Sequence, residues 1–125
     1  MKLRLRNNSI RFRLTQGEVA RLAESGSVEE SISFDGSQTL TYALSSSASA
    51  DTIYAKFNGE RIEVTVPAST VRLWASTDQV GRGAEQSTGD GGQLSILIEK
   101  DFRCLEPRTG GEDDDTFPHP LECVG

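Results

Sequence analysis

The feature that most constrains this chain is the stretch Ser9 to Ala23, SIRFRLTQGEVARLA, where an alternating strand pattern runs without a gap into a capped amphipathic helix. Sliding the chain against itself by 52 residues sets Ile10, Phe12, Leu14, Val19, Leu22 and Ala23 onto Ile62, Val64, Val66, Val71, Trp74 and Ala75, all apolar. The same rhythm of two and then 3.6 residues therefore occurs twice, and a duplicated hairpin–helix unit around one shared core is the expected architecture. Copy one is placed at residues 1–44, a linker at 45–50, copy two at 51–102, and an acidic, proline-containing tail at 103–125. With 125 residues, 35% of them hydrophobic, the chain can bury one core and form a single domain.

Residues 2–14 read as a β-hairpin turning at Asn7-Asn8, a pair that tolerates positive φ. In that register Leu5 faces Ile10 and Leu3 faces Phe12 on one surface. Arg4 then faces Arg11, and Lys2 faces Arg13, on the other. The result is a basic stripe of Lys2, Arg4, Arg6, Arg11 and Arg13 on a chain whose net charge is -6. Like charges directly opposite destabilise a strand pair, so an anionic group should lie across the stripe. The expected one is the run Glu112, Asp113, Asp114 and Asp115, folded back as a clasp, or a strand bearing Glu29.

Thr15 and Glu18 form a capping-box pair at the start of the first helix, and Ser25-Gly26 ends it. Strands follow at Val28–Phe34 and Gln38–Leu44, with Ile32, Phe34, Leu40, Tyr42 and Leu44 expected inward. The serine-rich run 45–50 reads as a flexible connector. A second hairpin turns at Asn58-Gly59, and Pro67 opens the second helix. Gly81 to Gly92 reads as a long loop, and Gln93 to Glu99 as an apolar, central strand. The sum is an α+β fold, an antiparallel sheet or partly closed barrel of about seven strands with two helices.

The opening MKLRLRNNSIRFRLTQGEVARL and the closing EKDFRCL and EDDDTFPHP resemble a small family of bacterial proteins of unknown function. The resemblance covers nearly the whole chain and implies a bacterial, cytoplasmic protein whose acidic tail belongs to the domain. It carries over no functional residue. Family members tend to have FPNP where this chain has Phe117-Pro118-His119-Pro120, which weighs against any role for His119.

The chemistry-bearing residues are sparse. Cys104, His119 and Cys123 offer soft metal ligands near the acidic run, but they lack the paired spacing of a zinc site or the alternation of a calcium loop. The only histidine lies between two prolines, which leaves no placed base for a nucleophilic relay. The Gly-rich segment carries no phosphate-loop pattern. No cofactor is expected. The functional reading is a non-enzymatic binding or interaction module, working with a protein partner or by self-association. The alternatives are nucleic-acid binding through the basic hairpin, disfavoured by the acidic total and the lack of stacking aromatics on that face, and a C-terminal metal site. No stretch approaches the roughly 18 apolar residues of a membrane span.

Overall fold

The computed structural model describes residues 1–102. Its elements are β1 (Lys2–Arg6), β2 (Ser9–Leu14), α1 (Gln16–Ser25), β3 (Ser27–Asp35), β4 (Gln38–Ser47), β5 (Tyr54–Phe57), β6 (Arg61–Pro67), α2 (Ala68–Ser76), β7 (Gly81–Ser87) and β8 (Gln93–Lys100). They form two open four-stranded sheets, sheet A in the order β1-β2-β8-β7 and sheet B in the order β3-β4-β6-β5.

The α+β class stands, and three finer expectations are corrected. The described residues form eight strands, because Gly81–Ser87 is strand β7 rather than loop. Its two glycines and scattered polar residues carry no strand pattern of their own, and it is held by its antiparallel ladder to β8. The sheets are mixed, with β2 parallel to β8 and β4 parallel to β6. Parallel partners meet without a turn between them, so nothing local in the sequence announces the pairing. Among the described residues the sheets also stay open and do not close into a barrel. The serine run expected as a connector begins inside β4, which extends to Ser47.

The order ββαββ occurs twice, and each sheet takes one hairpin from each occurrence. Phe12 pairs with Leu3 as Val64 pairs with Ala55, 52 residues on. For β3 and β4 the matching step is 54: Ser9 lies beside Ser95, and Arg61 beside Thr41. The connection after α2 is longer than the one after α1, where Gly26 alone intervenes.

The interior is a single cluster. Phe12, Leu14, Ile96 and Ile98 come from sheet A, Tyr42, Leu44, Val64 and Val66 from sheet B, and Val19, Leu22, Val71 and Trp74 from the helices. The Phe12 and Tyr42 rings, 6.3 Å between centroids, bring the two sheets into contact. The inward set expected for β3 and β4 is only partly buried. Tyr42 and Leu44 are interior, but Ile32 is 46% and Phe34 69% exposed, because that hairpin runs past the helices that cover its base. Leu5 faces Ile10 as expected and is 59% exposed.

The capping box of α1 is present. Glu18 N donates to Thr15 Oγ1 at 3.3 Å, and Thr15 N donates to Glu18 Oε1 at 2.9 Å. Gly26, at φ 90°, closes the helix in the left-handed conformation that a side chain would strain. Glu18 also joins Glu30 in ion pairs with the Met1 amino group, tying β1, α1 and β3 together. Partial burial pushes the Glu18 carboxyl up, but hydrogen bonds from that amino group and from Thr15 outweigh it and hold it below its ordinary value. Burial likewise opposes the charged amine, yet bonding to both carboxylates holds it above its ordinary value.

These shifts give a prediction. The lowered carboxyl contributes stability that is lost as pH falls through its folded value. The raised amine contributes stability that is lost as pH rises through its folded value. Glu18→Gln should cost about 1 kcal/mol. The difference in melting temperature from the parent should be flat between about pH 4.5 and 8 and shrink on both sides. A difference that does not change with pH would refute the ionic account.

Candidate functional site

The first hairpin forms in the register its turn dictates. Asn7 takes φ 51°, Arg4 pairs with Arg11, and Lys2 pairs with Arg13. Alternation then puts Lys2, Arg4, Arg6, Arg11 and Arg13 on one outer face of sheet A, opposite the buried Phe12 and Leu14. Lys2, Leu3, Arg4, Arg11 and Arg13 line a hollow of about 220 Å³. Beside it lies a shallower one of about 420 Å³, lined by residues that include Ser9, Arg11, Gly83, Glu85 and Ser95.

The counter-charges come from β8 and its end. Arg13 Nε donates to Glu99 Oε1 at 2.9 Å, Arg11 Nε lies 3.6 Å from the same oxygen, and Lys2 Nζ lies 3.2 Å from Asp101 Oδ2. Sequence reasoning missed Glu99 and Asp101 because they reach the stripe only through the parallel pairing of β8 with β2. The one available signal was a charged end on an apolar strand. Glu29, offered as a counter-charge, lies in sheet B instead, where Arg61 Nη2 donates to it at 3.2 Å. The Arg61 guanidinium also donates to Glu63 at 3.0 Å. That bond, with a second from Ser45, holds the Glu63 carboxyl below its ordinary value. The proposed clasp, Glu112 to Asp115, and the metal candidates Cys104, His119 and Cys123 lie outside the described residues. Among the described residues no group of three or more His, Cys, Asp or Glu could hold a metal ion.

Row by row, the outer faces of the two sheets differ in charge. Its central outer row is Arg4, Arg11, Leu97 and Gly83. The matching row of sheet B is Lys56, Glu63, Ala43 and Glu29. Two positions that hold carboxylates in sheet B hold an arginine and a glycine in sheet A. Over the whole outer face of sheet A, five cations meet three carboxylates, Glu85, Glu99 and Asp101, and Glu85 is engaged by Ser95 Oγ at 2.9 Å. Arg4 and Arg6 make no ion pair among the described residues.

A two-sheet α+β domain with one outer face left cationic is the class of protein these features define. No helix among the described residues is long and apolar enough to cross a membrane. The chain belongs to a family of unknown function, DUF7009, which matches residues 1–121. No curated protein and no solved structure matches it.

Proposed function

We propose that this protein is a non-enzymatic, cytoplasmic binding module that takes an acidic polypeptide on the outer face of sheet A. The observation that carries the reading is the central row of that face, where Arg4 and Arg11 stand side by side and no carboxylate is present, while the matching row of sheet B sets Glu63 and Glu29 against Lys56. Adjacent like charges on paired strands cost stability, and an anionic ligand removes that cost as it binds. The repeated ββαββ order supports an internal duplication in which one mixed sheet has a balanced outer face and the other a binding face.

The acidic run Glu112–Asp115 is then an intramolecular competitor for the stripe. The Lys2–Asp101 pair puts the exit of the described chain at one end of that stripe. Ten residues reach about 33 Å when extended, more than the length of a five-residue strand.

The test is retention of fluorescent polyglutamate by the full chain at low and high salt. Binding at low salt is expected, weakened at least about tenfold by Arg4→Ala with Arg11→Ala, and weakened again by added salt. Neutralising the run as Glu112→Gln, Asp113→Asn, Asp114→Asn and Asp115→Asn should tighten it. No binding by either form at low salt would end the proposal. Preferential binding of duplex DNA over polyglutamate would replace it with the nucleic-acid reading.

A further inference from the structure

We infer that the free edge of β1 is where the acidic partner docks, as an added antiparallel or parallel strand alternating acidic with apolar residues; this rests on the binding reading above and deepens it. Strand β1 leaves one set of backbone groups unpaired. A two-residue turn closes on a hydrogen-bonded pair, so Arg6 with Ser9, Arg4 with Arg11, and Lys2 with Arg13 exchange backbone bonds with β2. The N–H and C=O groups of Leu3 and Leu5 therefore point away from β2, and β1 has no other strand neighbour among the described residues.

The matching edge in sheet B shows both that this geometry is right and that it can be closed. Ala55 on β5 corresponds to Leu3. Its N–H donates to Gln86 Oε1 at 2.7 Å, and its C=O accepts from Gln86 Nε2 at 3.0 Å. One side-chain amide from β7 thus caps both outward groups of Ala55. The position on β3 that corresponds to Gln86 is Ile32, which has no amide to offer. The β5 edge is blocked at Ala55 by a side chain that mimics a strand, and the β1 edge lacks that block at Leu3.

Side-chain alternation specifies what would fit. A strand added to β1 places alternate residues beside Lys2, Arg4 and Arg6 on the outer face, where carboxylates are matched. The residues between them fall beside Leu3 and Leu5 on the inner face, where the 59% exposure of Leu5 leaves apolar surface to cover. Backbone bonding of this kind excludes free anions and nucleic acid as the occupant of the edge, because neither supplies a ladder of amides.

The test uses the full chain and a fluorescent octapeptide alternating glutamate with valine, followed by anisotropy at low salt. Two further peptides carry N-methyl groups, one on all its glutamates and the other on all its valines. Only one of these sets faces β1 in a strand, so one methylated peptide should lose at least about tenfold in affinity and the other should bind as the parent does. Leu5→Pro removes an outward N–H without touching the β1–β2 ladder. It should weaken the octapeptide similarly while leaving polyglutamate retention in place.

Equal binding of both methylated peptides would overturn strand addition yet leave the anion-binding face standing. Failure of polyglutamate and octapeptide alike would take both readings down. Octapeptide binding that appears only when Glu112–Asp115 is neutralised would give the edge to the chain's own acidic run. A concentration-dependent dimer abolished by Leu5→Pro would give it to a second copy. Either of these results overturns the assignment to a partner.

Discussion

Trp74→Ala is expected to destabilise the domain by about 3–5 kcal/mol, measured by urea denaturation followed by circular dichroism. Trp74 is fully buried, and its indole N–H donates to the Val80 carbonyl at 3.0 Å. Truncation therefore opens the largest cavity any single substitution can make in this interior and orphans a carbonyl at the connection into β7. The hole lies where α2 meets the cluster shared with α1 and both sheets, so no one element can shift to fill it. Against a typical domain stability of about 5–15 kcal/mol, this is a large fraction. The neighbouring Leu73 is half exposed, and Leu73→Ala should cost far less. A Trp74→Ala protein that unfolds within about 1 kcal/mol of the parent would contradict a single interior cluster centred on that side chain.

Gly81→Val should be nearly as severe, at about 1–3 kcal/mol or more. A Cβ at Gly81 would sit 2.7 Å from the Ile98 carbonyl oxygen and 3.1 Å from Glu99 Cβ. Both neighbours belong to β8, which is held between β2 and β7, so its backbone cannot give way. Gly36, in the β3–β4 turn, has nothing within 4 Å of an added Cβ. Gly36→Ala there should be neutral or slightly stabilising, by up to about 1 kcal/mol. Melting temperatures of the two variants decide the point. Similar small losses at both positions would mean that β7 is not pressed against β8 as described.

The elements that announced themselves in the sequence are those with local signals. The first hairpin's register follows from Asn7-Asn8 and the alternation around it, and the α1 boundaries follow from Thr15, Glu18 and Gly26. The buried positions of both helices, Val19 with Leu22 and Val71 with Trp74, follow from their periodicity. What stayed hidden depends on partners distant in the chain. Strand β7 has a loop's composition and exists because β8 pairs with it. The parallel ladders that mix the two hairpins within each sheet have no turn to betray them. The same blindness affected the site. The five cations and their common face were legible from alternation alone, but Glu99 and Asp101 could be assigned to them only once β8 was known to lie beside β2. Exposure at Ile32 and Phe34 was misjudged for a related reason, since an apolar alternating strand looks the same whether or not a helix extends far enough to cover it.

The exchange of hairpins between the sheets also bears on how the protein is made. Arg13 and Glu99, neighbours across the β2–β8 ladder, are 86 residues apart in sequence. During synthesis the β1–β2 and β3–β4 hairpins leave the ribosome well before β8 and β6 exist to flank them. Until β6 emerges β4 has one unpaired flank, and until β8 emerges β2 has another. Such a chain has a high contact order and folds slowly, with the aggregation exposure that delay brings.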